Sequence, residues 1–172
     1  MLVKFLGAIV LIGATSVIGF SLAADCSKRP RALRELQALL QMLENEISYL
    51  SNLLSEAFNR IYEGSNSQTA ILFKKAAENL GINGVTADVA WEKAVEENYA
   101  KLAFNKEDKV ILLTFGKMLG NSDLEGQLKN IKLISSQLQL QQLKAEELKQ
   151  KNEKMYRSLG VLSGLAIAII LF

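Results

Sequence analysis

The sequence predicts an all-α protein: a six-helix cytoplasmic bundle flanked by an N-terminal and a short C-terminal transmembrane helix, the last soluble helix running continuously into the second span. Three observations predict it. The 172-residue chain contains a single proline. Apolar residues in its middle recur at spacings of three and four, the period of one helix face. Apolar stretches occupy both extremes, Leu2 to Ala24 and Leu159 to Phe172.

The first stretch carries one charge, Lys4, and at about 1.5 Å per residue it reaches across a hydrocarbon core of about 30 Å. A cleaved signal peptide is the rival reading, because Lys4 gives a weak basic start and Ser21-Leu22-Ala23 resembles a small-residue cleavage site. The run exceeds a signal core of roughly 7 to 15 residues, so a retained anchor over residues 1–25 is expected. Lipoprotein anchoring at Cys26 is disfavoured by the charge of Asp25 before it.

The second stretch is short for a span, but its flank is basic: Lys149, Lys151, Lys154 and Arg157 precede it, and no charged side chain follows them. Met155 and Tyr156 extend the apolar face while Lys154 and Arg157 snorkel to the headgroups. The expected divisions are an anchor at 1–25, a cytoplasmic helical domain at 26–157 and a C-terminal membrane helix at 158–172. Lys28, Arg29, Arg31 and Arg34 follow the first span as Lys154 and Arg157 precede the second. By the positive-inside rule the middle is cytoplasmic, and both termini lie on the other side.

Composition excludes several chemistries. The chain has no histidine, which removes the usual general base, the commonest transition-metal ligand and every Ser-His or Cys-His nucleophile. One cysteine, Cys26, allows no internal disulfide. All 18 acidic residues lie between the apolar ends with all but one of the 20 basic ones, leaving that region close to neutral. Nucleic acid is not an expected partner, since affinity for phosphate backbones comes from concentrated basic charge. With no Gly-x-x-x-x-Gly-Lys-Ser/Thr loop, any nucleotide energy must come from another protein. No cofactor or metal is expected.

The first soluble helix begins with Ser27 as cap and Pro30 in its first turn, where the missing donor is not needed. Leu33, Leu36, Leu40, Leu43, Ile47, Leu50, Leu54, Ala57 and Ile61 then form a heptad seam. Leu39, Met42 and Leu53 widen it, which favours a bundle core over an intermolecular coiled coil. A break near Ser48 to Asn52 is expected, with Ser51 or Asn52 capping a second helix. Ser65-Asn66-Ser67 punctuates, and the next helix runs to Leu80 with Gly81 in the left-handed C-terminal position. Thr86 caps a segment with Ala87, Ala90, Trp91, Ala94 and Val95, in which Trp91 is a core anchor. Asn105 opens a helix carrying Val110, Ile111, Leu113 and Met118 that ends at Gly120.

Ser122-Asp123-Leu124-Glu125 reads as a capping box starting the last helix. No proline follows, so that helix extends about 75 Å to Phe172 if unbroken. Thr15, Gly19 and Ala23 recur every four residues, as do Gly160, Gly164 and Ala168. Each apolar helix therefore offers a small-residue face that lets another backbone approach.

These features in this order resemble the stage III sporulation protein AB family of endospore-forming bacteria. The resemblance is carried by Lys28-Arg29-Pro30-Arg31 with Leu33 and Leu36, by Glu44, Glu46, Ile47 and Tyr49, by Leu119-Gly120-Asn121-Ser122-Asp123-Leu124-Glu125-Gly126-Gln127, and by the run from Lys154 to Gly164. The match covers essentially the whole chain. One departure is Ser51-Asn52-Leu53, where the family pattern has a threonine-proline-leucine turn. The family is similar to the all-helical cytoplasmic domain of platform protein F of type II secretion and type IV pilus systems.

The resemblance implies a non-enzymatic membrane platform in the channel between mother cell and forespore, anchored in the outer forespore membrane. The implied partners are a cytoplasmic ATPase, the stage III sporulation protein AA, other membrane proteins of the channel, and the lipid bilayer; association of copies into a homo-oligomer is open. Matching position makes Glu44, Glu46, Asp123, Glu125 and Gln127 the candidate docking residues. Two other readings stand beside it. One is a membrane-tethered scaffold dimerising through the Leu33 to Ile61 seam. The other is an enzyme holding magnesium or calcium on acids such as Glu96, Glu97, Asp108 or Asp123, against which stands the lack of an ordered acidic calcium loop.

Overall fold

Apolar residues at helical spacing leave this chain one way to bury them, helix against helix, and the computed structural model is built so over its described residues, 2–50, 53–120 and 123–171. The helices are α1 (Leu2–Asp25), α2 (Lys28–Leu50), α3 (Leu54–Glu63), α4 (Ile71–Leu80), α5 (Ala87–Asn98), α6 (Lys106–Met118) and α7 (Leu124–Leu171), with short 3-10 turns at Gln68–Ala70 and Tyr99–Leu102. No strand occurs among the described residues. Six helices, α2 to α7, form the bundle, and α7 runs on without interruption into the C-terminal apolar stretch. The chain divides into two compact units, Met1–Pro30 with Lys144–Phe172, and Arg31–Leu143.

In the second unit, α2 and α7 lie antiparallel. Gln37 Nε2 donates to Gln142 Oε1 at 2.7 Å, and the Lys132 ammonium stands 3.5 Å from Glu44 Oε1. The leucines of α2 are fully covered: Leu33, Leu36, Leu40 and Leu43 are each 0 % exposed. Ile131, Ile134 and Leu138 of α7 are buried too. The seam from Leu33 to Ile61 thus crosses two helices, and among its described side chains Ile47, Ala57 and Ile61 are buried with Leu33, Leu36, Leu40 and Leu43 while Leu54 is half-buried. Little of it is left for an intermolecular coiled coil. Leu53 is not part of the stripe; 72 % exposed, it occupies the N-cap position of α3 without a side-chain cap. Ser51 and Asn52, the expected caps, lie outside the described residues.

The remaining helices meet through one aromatic cluster. Phe58 of α3, Phe73 of α4, Trp91 of α5 and Phe115 of α6 are in edge-to-face or tilted contact, with ring centroids 5.5 Å apart for Phe58–Phe73, 5.2 Å for Phe73–Trp91 and 5.1 Å for Trp91–Phe115. Such pairs contribute about 0.5–1.5 kcal/mol each beyond the area they bury. Trp91 is fully buried and its Nε1 donates to the Leu112 carbonyl at 2.8 Å, so the indole leaves no polar atom unsatisfied. The side of α6 turned inward is that of Asp108, Leu112, Phe115 and Gly116, whereas Val110 is exposed.

Helix ends follow local chemistry. Asn105 and Asp108 form a reciprocal capping box on α6, side chain to backbone N–H at 2.9 Å in both directions. Ser67 caps the 3-10 turn that leads into α4. Gly81 corrects the expectation: it is right-handed (φ −68, ψ −10), and the positive-φ residues among those described are Gly84 (φ 83), Gly120 (φ 73) and Ala103 (φ 61), which ends the second 3-10 turn. The α4 helix therefore ends in a turn that any residue can make, and the reversal that needs glycine comes three positions later. At the start of α7, Asp123 Oδ1 accepts from Gly126 N–H at 3.0 Å. Ser122, to which the capping box was assigned, lies outside the described residues.

Gly116 explains itself by the indole above it, since a Cβ there would stand 2.7 Å from Trp91 Cδ1. Alanine favours a helix interior over glycine by about 1 kcal/mol, but a ring fixed by three phenylalanines and a hydrogen bond cannot yield. Overpacking costs about 1–3 kcal/mol. Gly116→Ala is expected to lower stability despite its better helix propensity, read as a lower melting temperature of the full chain in detergent.

Candidate functional site

The small residues at the two ends of the chain meet one another. Within the first unit, a Cβ on Gly19 would lie 2.7 Å from the Tyr156 carbonyl oxygen and 2.8 Å from Gly160 Cα. One on Gly160 would lie 2.9 Å from Gly19 Cα and 3.0 Å from the Thr15 oxygen. Gly164 faces Thr15 Oγ1 and stands 2.9 Å by the same measure from Ile12 Cα. Such distances exclude any side chain, so α1 and the end of α7 touch backbone to backbone, as tightly packed membrane helices do. Ala23 is buried at 2 % exposure and Ala168 half-buried. The Thr15 hydroxyl donates within its own helix to the Leu11 and Ile12 carbonyls, leaving no unmet donor.

Basic side chains surround this hairpin. Lys28 pairs with Asp25 at 2.7 Å. Arg157 pairs with Glu153 and lies over the Phe20 ring, 5.8 Å from its centroid. Lys154 is exposed and Arg29 half-buried. Arg31 and Arg34 are exposed in the other unit, where Arg31 Nε donates to Glu35 Oε1 at 2.9 Å and Glu35 in turn accepts from the Thr69 hydroxyl at 3.0 Å. Cys26 is partly covered, with its thiol 3.5 Å from the Leu22 carbonyl.

The five candidate docking residues do not form one patch. Glu44 faces Lys132 on α7, and Glu46 faces Arg60 on α3 at 3.7 Å, from opposite sides of α2. One Glu46 oxygen is covered yet accepts no hydrogen bond. Asp123 and Glu125 are exposed in the cap and first turn of α7, with Gln127 half-buried after them. Both glutamate pairings link residues remote in sequence and carry no local signal. Elsewhere Glu96, bonded to Lys109, raises that ammonium's pKa above the usual lysine value. Among the described residues no group of three or more His, Cys, Asp or Glu is placed to hold a metal ion.

By length and composition, the N-terminal helix and α7 each suffice to cross a membrane. The family model described as Stage III sporulation protein AB (spore_III_AB) matches residues 4–172. The chain belongs to the stage III sporulation protein AB family. A curated relative, Stage III sporulation protein AB of Bacillus subtilis (strain 168), is 35% identical over 170 residues, 99% of each chain. A solved structure of a Stage III sporulation protein AB superposes with a TM-score of 0.67 at 31% identity, covering 72% of this chain and 98% of that one. Two apolar helices together with this family fit a membrane protein. The names of these stage III sporulation protein AB relatives denote a sporulation component and no enzymatic activity.

The hairpin makes a sharp contrast between glycines. Gly160→Val places a branched side chain where Gly19 Cα already stands, whereas Gly13 has nothing within 4 Å of its would-be Cβ. Gly160→Val is expected to cost about 1–3 kcal/mol, and Gly13→Val to stay within about 0.5 kcal/mol, compared by thermal unfolding of the full chain in detergent.

Proposed function

We propose that this protein is a non-enzymatic membrane platform of the mother-cell-to-forespore channel, docking a cytoplasmic ATPase and passing its motion to the membrane components of the same complex. In this reading residues 1–25 and 158–172 lie in the outer forespore membrane, the domain at 26–157 faces the mother-cell cytoplasm, and both termini lie on the far side. The ATPase is the stage III sporulation protein AA.

The observation that carries the reading is α7. One unbroken helix, Leu124–Leu171, contains the candidate docking residues of its first turn and the glycines that contact α1 near its end. A hydrogen-bonded helix transmits a displacement along its axis without needing a hinge. Further support comes from the basic residues beside both apolar stretches, which favour a cytoplasmic domain, and from the membrane platform proteins that the family resembles. A scaffold dimerising through the α2 seam is disfavoured, because that seam is already covered.

Charge reversal tests the docking. Membranes carrying the full chain are expected to retain the purified ATPase, and Glu44→Lys and Asp123→Lys are each expected to weaken retention at low salt, more so together. Glu44 is only partly exposed and its partner Lys132 is largely exposed, so the lost ion pair costs stability no more than about 1 kcal/mol. Retention unchanged in both variants removes these residues from the docking surface, and no retention by the wild-type chain contradicts the platform.

A further inference from the structure

The connection from α4 to α5 carries the chain's single Asn-Gly pair, Asn83-Gly84. It forms a tight turn, with Val85 N–H donating to the Ile82 carbonyl at 3.2 Å and Gly84 at φ 83, a conformation that glycine adopts without steric cost. Both residues are exposed, and a Cβ on Gly84 would meet nothing within 4 Å. The Gly84 N–H and the Asn83 side chain take no hydrogen bond among the described residues. One long hydrogen bond therefore closes the turn, and the peptide between the two residues has room to rotate. The other asparagines are placed differently. Asn45, Asn59, Asn79, Asn130 and Asn152 lie inside helices, where the following N–H belongs to the helical ladder. Asn98 Nδ2 donates to the Ala94 carbonyl at 2.8 Å, and Asn105 Oδ1 accepts from Asp108 N–H at 2.9 Å. Asn66 also precedes a small residue, Ser67, but Ser67 N–H donates to Ser65 Oγ at 3.1 Å. Asn52 and Asn121 lie outside the described residues.

We propose that Asn83 is a site of spontaneous modification, at which the chain converts its own amide to an acid with water as the only co-reactant. Asparagine is among the thermolabile side chains, and here its neighbour supplies the nucleophile. The Gly84 backbone nitrogen gives up its proton to hydroxide and attacks the Asn83 side-chain carbonyl carbon. The new C–N bond closes a succinimide ring, the bond to the side-chain nitrogen breaks, and that nitrogen takes a proton from water and leaves as ammonia. Water then adds to either ring carbonyl. Opening on one side gives aspartate; opening on the other gives isoaspartate, in which the backbone runs through the former side chain. Nothing is oxidised or reduced. Glycine permits the closure because a Cβ on the attacking residue would crowd the forming ring. Each product places a negative charge three residues before Thr86, at the entry to α5. The isoaspartate also lengthens the backbone of the turn by one methylene.

Ageing the purified full chain in detergent at mildly alkaline pH, followed by tryptic peptide mapping, tests this. Cleavage after Lys75 and Lys93 puts Asn79 and Asn83 in one peptide. Asn79, held in α4 with its Nδ2 donating to the Ala90 carbonyl at 3.2 Å, is thus an internal control. Fragment spectra are expected to place the amide-to-acid mass change on Asn83 ahead of every other asparagine, at a rate that rises in proportion to hydroxide. Both aspartate and isoaspartate are expected, the second read by methyl transfer with protein isoaspartyl methyltransferase. Gly84→Ala is expected to slow the conversion severalfold. Asn83→Gln, which keeps the glycine of the turn, is expected to remove it. The proposal is overturned if Asn83 stays an amide, if Asn79 or any other asparagine converts as fast, or if Gly84→Ala converts at the wild-type rate. It is also overturned if aspartate forms without isoaspartate, the mark of direct hydrolysis of the side chain.

Discussion

Everything in this molecule depends on α7 finding its partners at the opposite end of the chain. In one unit the partner is α1, met through glycine where backbones touch; in the other it is α2, met through leucine and isoleucine where side chains fill the space. The two contacts use different physics. Water drives apolar side chains together in the bundle, whereas between apolar helices in lipid that force is absent and close packing of small residues replaces it. One helix therefore changes from large to small contact residues along its length, with Gly160 and Gly164 appearing only after the glutamine- and lysine-rich stretch.

Helices α3 to α6 are held by another device. Four rings from four successive helices form a chain around Trp91, and Gly116 clears the space that the indole occupies. This cluster accounts for a glycine inside α6 that propensity alone would reject. The cluster draws no ring from α2 or α7, which meet instead through aliphatic side chains and the Glu44–Lys132 pair.

The sequence was legible where a local rule decides the outcome. The absence of proline, the spacing of three and four, Ser27 before Pro30 and Asn105 before α6 were enough for helix count and approximate ends. The continuity of α7 into the apolar tail followed from the same rule. Placement inside a helix was less legible. Val110 belonged to the apolar pattern of α6 yet faces solvent, because Trp91 selects the Leu112, Phe115 and Gly116 side. Gly81 had the position of a left-handed cap, but the loop makes its reversal at Gly84. Glu44 and Glu46 sit two residues apart and diverge to Lys132 and Arg60, pairings that depend on tertiary structure alone. The long-range bond between Gln37 and Gln142 had no local signature either.

The central claim is that head and tail of one chain pair directly through Thr15, Gly19, Gly160 and Gly164. Cross-linking of a Phe20→Cys, Arg157→Cys double variant in membranes, with Cys26→Ser, by a short cleavable bifunctional thiol reagent tests it most directly, because the Arg157 guanidinium lies over the Phe20 ring and neither position is a glycine contact. The pairing predicts a link within one chain: the product migrates as a monomer, and protease cleavage of the intervening domain fails to separate the two ends until the reagent is cleaved. Two separate ends after treatment, or links found only between chains, contradict it.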